Sequence, residues 1–170
     1  MESRRKRKRS QITKWVCYAL LMLLCTVLQT LPGLFRLGEA KPLWLLPLAL
    51  AVAVEEGEFA GGIFGAVCGL MWDYTAGRTA GLLAFELLLL CFLLSAVMQL
   101  YFKTSAANVV LLETVAVLLV LSLDWLFFYY MPGYSWALSR WLTFVLPSAM
   151  MTLVPSLVLF SLVRRIYNEF

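Results

Sequence analysis

The 170-residue chain contains no histidine, and charged residues make up only 14% of it. Without imidazole, Ser-His-Asp triads, Cys-His pairs, imidazole proton relays and histidine metal sites are excluded. Its four cysteines, Cys17, Cys25, Cys68 and Cys91, fall in apolar stretches and none forms a CxxC pair. They read as small core side chains rather than disulfide partners or metal ligands. The shortage of charge excludes more. A soluble domain carries about 25% charged residues, and a small one must cover its surface with them. At 62% apolar residues and a mean hydropathy of +0.85, this chain cannot. An all-α integral membrane protein without an extramembrane domain is expected.

The formal charge of +4 is unevenly spread. Arg4, Arg5, Lys6, Arg7, Lys8 and Arg9 oppose only Glu2 in the first ten residues, while the rest of the chain carries eight basic and nine acidic side chains. The basicity is a tail, expected over residues 1–13, ahead of one transmembrane domain over 14–170. Apolar runs mark six spans in a compact bundle, at about 15–34, 43–54, 59–74, 82–102, 109–131 and 141–163. Four reach the roughly 20 residues needed to cross a hydrocarbon core; the second and third are short.

The first run follows a basic segment, as a signal peptide would, but at about 20 residues it exceeds an h-region of roughly 7–15. It is expected to stay as the first helix. With six spans, ten Lys/Arg fall on one side (the tail, Lys14, Lys103, Arg164, Arg165) and four on the other (Arg36, Lys41, Arg78, Arg140). Both termini are therefore expected in the cytoplasm. A re-entrant hairpin over the two short runs would bury Glu55, Glu56 and Glu58 near the bilayer centre, at a cost of about 3 kcal/mol per carboxylate. Two short, tilted or shielded spans are preferred. Pro42 and Pro47 suit the first turn of the second span, and Pro147 and Pro155 should bend the sixth. Trp44, Trp72, Tyr74, Tyr129, Tyr130, Tyr134, Trp136 and Trp141 fall at the outer interface, Trp15, Tyr101 and Tyr167 at the inner one. Trp125 lies deeper and is expected inside the bundle.

Six of the ten glycines lie in one register of four, Gly57, Gly61, Gly65, Gly69, Gly77 and Gly81, with Asp73 in the fifth place. On a helix such a row is a ridge stripped of side chains, which lets a neighbouring backbone approach closely. It suits packing within this chain, a partner's transmembrane helix, or the wall of a substrate cavity. Gly77 and Gly81 belong to the following loop, where turn geometry calls for glycine.

Acidic residues in apolar runs are paired or face a polar cavity. Asp73, Glu86 and Asp124 fall in the outer half with Arg78 and Arg140, so an outer polar cluster is expected, with Asp73 or Asp124 meeting Arg78 or Arg140. It serves either as structural pairing or as a partner- or ligand-facing site. Glu113, nearer the inner end, could meet Lys103 or snorkel to water. The Arg4 to Arg9 tail orients the chain and can bind anionic lipid headgroups at about 1 kcal/mol per residue. Beside a span that starts at Trp15 it does not point to nucleic acid.

From Gly65 to Phe102 the string GAVCGLMWDYTAGRTAGLLAFELLLLCFLLSAVMQLYF resembles the central region of the bacterial rod shape-determining MreD family. A Gly-Leu-x-x-Asp element, a Gly-containing turn and a further Gly precede a long apolar helix, matched here by Gly69, Leu70, Asp73, Gly77 and Gly81. Length, short loops and the basic start fit along nearly the whole chain. The turn TAGRTAG departs from the Ser-Gly-x-x-x-Gly pattern of many members. The resemblance implies a non-catalytic scaffold of the cell-elongation machinery without cofactors. Its implied partners are MreC, the actin-like MreB filament, and RodA with a class B penicillin-binding protein. It also implies a six-helix fold similar to the substrate-binding components of energy-coupling-factor vitamin transporters. In that competing reading, Trp72, Asp73, Glu86, Asp124 and Trp136 would line an outward pocket. The first span, WVCYALLMLLCTVLQTL, lacks the Ala-x-x-x-Ala pair a coupling subunit would need, and no long outer loop could lid a substrate.

Overall fold

The computed structural model describes residues 2–31, 40–77, 81–101 and 106–169. Its elements are helical: α1 (Glu2–Thr30), α2 (Leu45–Glu56), α3 (Glu58–Ala76), α4 (Leu82–Tyr101), α5 (Ala106–Trp125), α6 (Ala137–Arg140) and α7 (Leu146–Glu169). Two π turns, Leu126–Tyr130 and Trp141–Val145, extend α5 and join α6 to α7. The six apolar runs thus fall in six helical stretches. Four are long and apolar enough to cross a membrane: Ser10–Thr30, Leu82–Leu100, Asn108–Tyr130 and Ala137–Glu169.

The second run is the exception that organises the rest. At twelve residues α2 reaches only about 18 Å, too little to cross alone. Every residue from Leu45 to Val54 is buried, and α2 touches α1, α3, α4, α5 and α7. A helix apolar on all faces belongs inside a bundle, so this run is the core around which the longer helices stand. Three N–H groups at and just before its start are met by side chains of neighbouring helices. Gln29 Oε1 of α1 accepts from the Trp44 and Leu45 N–H groups, both at 3.1 Å. Thr152 Oγ1 of α7 accepts from Leu43 N–H at 3.2 Å. Pro47, one turn in, has no N–H to satisfy.

One residue, Gly57, joins α2 to α3, with φ 93° and ψ 178°. This backbone conformation favours glycine, and it folds the two helices into a tight hairpin. The basic segment is helical: α1 begins at Glu2, so the basic run is continuous with the helix of the first span. Pro155 is buried within α7, which continues through it, and a π turn lies just ahead of Pro147. Trp125 sits half-buried against the core, its indole N–H donating to the Ala137 carbonyl at 2.7 Å.

Candidate functional site

The glycine register becomes a seam with two sides. A Cβ on Gly61 would stand 2.3 Å from Ala53 Cα of α2. On Gly69 it would stand 2.5 Å from Ala84 Cα of α4, and on Gly65 2.6 Å from Cys91 Sγ of the same helix. The ridge slants around α3, so its first member meets α2 and the next two meet α4. These three glycines are occupied by packing within the chain. Gly57 is the hinge described above, and Leu70 is half-exposed on the outer surface of α3.

At the far end of α3, Asp73 is 1% exposed and its Oδ2 accepts from the Gly81 N–H at 2.8 Å. Gly77 caps α3 at φ 63°, and Gly81 opens α4 at φ 107°. The carboxylate thereby closes the α3–α4 turn and places negative charge at the positive end of the α4 dipole. Asp73→Ala removes a charge-assisted hydrogen bond from a buried turn and is expected to cost about 1.5–3 kcal/mol. Asp73→Asn keeps an acceptor and should cost less than half of that. Detergent unfolding midpoints of the two variants check the order.

The same end gathers the other predicted acids. Glu86 is within electrostatic reach of both Asp73 and Asp124, and Asp124 is buried. Arg140 lies among aromatic rings, its guanidinium carbon 5.2 Å from the Tyr129 ring centre, 5.3 Å from Phe144 and 5.9 Å from Trp136, a cation–π arrangement. Arg78, expected to meet Asp73 or Asp124, lies outside the described residues. Glu86 Oε2 is buried without a hydrogen-bond partner among them.

Glu113 requires a correction. It neither snorkels nor faces the interface, being fully buried with Ser156 of α7 donating its hydroxyl to Oε2. Depth along α5 does not decide which way a side chain points, and Glu113 points at α7. Lys103, its expected partner, lies outside the described residues.

The ion pair that the sequence does not announce is at the opposite end. Lys14 Nζ of α1 lies 2.8 Å from both carboxylate oxygens of Glu56 at the α2–α3 hinge. Tyr18 donates its hydroxyl to Glu56 Oε1 at 2.8 Å, and the Lys14 ammonium stands 5.0 Å from the Tyr167 ring centre of α7. Arg164 of α7 attracts Glu55. Three helices, α1, α2 and α7, are joined at this end by groups of opposite sign. Two cues were present in the chain: Lys14 and Tyr18 are i, i+4 neighbours on one helix face, and Glu55, Glu56 and Glu58 are three acids at a turn that needs a counter-charge.

A glycine seam, a carboxylate-closed turn and buried polar contacts between helices define a small polytopic α-helical membrane protein whose polar residues hold its own bundle together. The family model for rod shape-determining protein MreD matches residues 9–170, and the chain belongs to that family. Membership ties it to the determination of rod shape. No curated protein and no solved structure matches the chain, so the comparisons lend no support to the transporter reading.

Proposed function

We propose that this chain is a non-catalytic scaffold in the cytoplasmic membrane of a rod-shaped bacterium, linking MreC and, directly or through it, MreB filaments to peptidoglycan synthesis by RodA and its class B penicillin-binding protein. The observation that carries the proposal is the family match over residues 9–170. The structure is in keeping with it. The conspicuous polar contacts are made between the chain's own helices, while long apolar faces such as Val16, Leu20, Leu24 and Val27 of α1 stay exposed to the membrane. In this reading both termini are cytoplasmic. The Lys14, Glu56 and Arg164 end then faces the filaments, and the Asp73, Glu86 and Asp124 end faces the wall.

Depleting the native copy is expected to turn rods into round cells, and the full chain is expected to restore them. Purification in mild detergent from the rescued cells should recover MreC and the RodA synthase. Fluorescent-protein fusions at either end should glow, as they fold only in the cytoplasm. Unchanged shape on depletion, or recovery of an ATPase pair with a bound vitamin instead, would overturn the proposal.

A further inference from the structure

In contrast to the tight α3–α4 seam, α4 and α5 diverge and leave between them a groove of about 630 Å³. It runs from Leu82 to Val97 on α4, about 22 Å at 1.5 Å per residue, most of the hydrocarbon thickness. Its walls are apolar and include Leu89, Val115 and Leu119, each about half-exposed. Glu86 is the charged residue that lines it, and one oxygen of that carboxylate is buried without a hydrogen-bond partner among the described residues. Asp73 and Asp124 nearby add charge of the same sign.

We propose that this groove receives one transmembrane helix of a partner protein, carrying an arginine or lysine in its outer third that meets Glu86. The length of the groove fits a membrane-crossing helix, and its charge calls for a cation. A phospholipid chain would fill the walls and leave the carboxylate oxygen without a donor, which is costly in hydrocarbon. A second copy fits poorly. A two-fold dimer through the groove would bring its two Glu86 side chains together, and among the described cations of this chain's spanning helices, Lys14, Arg164 and Arg165 lie at the opposite end, while Arg140, at the same end, is already engaged by the rings of Tyr129, Phe144 and Trp136. The inference deepens the scaffold reading by giving the chemistry of one partner, and it rests on that reading for its biological meaning only.

The test uses the full chain in nanodiscs of phosphatidylethanolamine and phosphatidylglycerol. Two labelled single-span leucine–alanine peptides are compared by energy transfer, one with a single arginine in its outer third and one with leucine there. The arginine peptide should associate about tenfold more tightly, the scale of a 1–2 kcal/mol interhelical polar contact. Glu86→Gln should reduce that preference to about threefold or less, and Leu119→Trp, which fills the groove away from the carboxylate, should weaken both peptides. Equal binding of the two peptides to the unaltered chain overturns the proposal and requires no variant to fold. It is equally overturned if Glu86→Gln leaves the preference intact, if phospholipid holds the groove against both peptides, or if Leu119→Trp abolishes self-association. Since no cell shape enters the measurement, any of these results leaves the scaffold reading to its own test.

Discussion

Gly61→Ala and Gly69→Ala are each expected to destabilise the bundle by about 3 kcal/mol, the upper part of the range for overpacking, while Gly62→Ala is neutral or stabilising. The three substitutions add the same methyl group to the same helix. By helix propensity alone all three should help, by roughly 0.5–1 kcal/mol. The difference lies in what the methyl meets. At Gly62 the nearest atom is the Leu88 carbonyl oxygen at 3.5 Å, an ordinary contact. At Gly61 it is Ala53 Cα at 2.3 Å, and at Gly69 it is Ala84 Cα at 2.5 Å with Ala84 N and Leu83 O both at 2.7 Å. A side chain could turn away; a backbone cannot. The helices must part, and along a membrane helix pair the attraction lost is the close van der Waals packing that small residues allow. At Gly61 the strain has little room to relax, since Gly57 alone links α2 to α3. Unfolding midpoints in mixed detergent micelles measure all three, and a Gly69→Ala variant as stable as Gly62→Ala would mean that α3 and α4 are not in backbone contact there.

The glycine register was legible because a period of four on a helix has one geometric meaning: a ridge without side chains. Which helix it would meet was not, because the row slants and changes partner between Gly61 and Gly65. The second run was only partly legible for a related reason. Twelve apolar residues with no polar face look alike whether they form a short span or a buried core helix, and only the neighbours on every side of Leu45 to Val54 tell the two apart. Gln29 escaped notice since a neutral amide costs little in composition and carries no charge to count. Yet it satisfies two N–H groups at the start of α2. Glu113 and Glu56 show the limit most clearly. Depth in the bilayer can be estimated from position along the chain, but the partner of a buried acid is set by rotation about the helix axis and by a residue about forty positions away, 43 for Ser156 and 42 for Lys14.

Lys14→Met is expected to destabilise the bundle by about 3–5 kcal/mol, the cost of leaving one member of a buried ion pair without its partner. The side chains of Lys14 and Glu56 are 5% and 9% exposed, so little water is on hand to take the place of the missing ammonium. Tyr18 would still donate to Glu56, but a neutral hydroxyl does not neutralise a carboxylate, and Glu55 adds a second negative charge beside it. The effect should centre on α1. That helix meets the bundle along a narrow stripe that includes Lys14, Tyr18, Cys25 and Gln29, with most of its remaining large apolar side chains exposed. Cysteine cross-linking between α1 and α2 should therefore weaken before that between α3 and α4. The pair itself need not be net stabilising, because two desolvated charges can cost as much as their attraction returns. Lys14→Met combined with Glu56→Gln, which removes both charges and keeps an acceptor for Tyr18, should recover most of the lost stability. A double-mutant cycle then reads the coupling directly, with about 2–3 kcal/mol expected for a buried pair. Additive losses would mean that Lys14 and Glu56 each act through other neighbours, with Tyr167 the first to test for Lys14. A strong coupling would make the ion pair the determinant of where α1 docks, and so of where the basic segment Arg4 to Arg9 is presented.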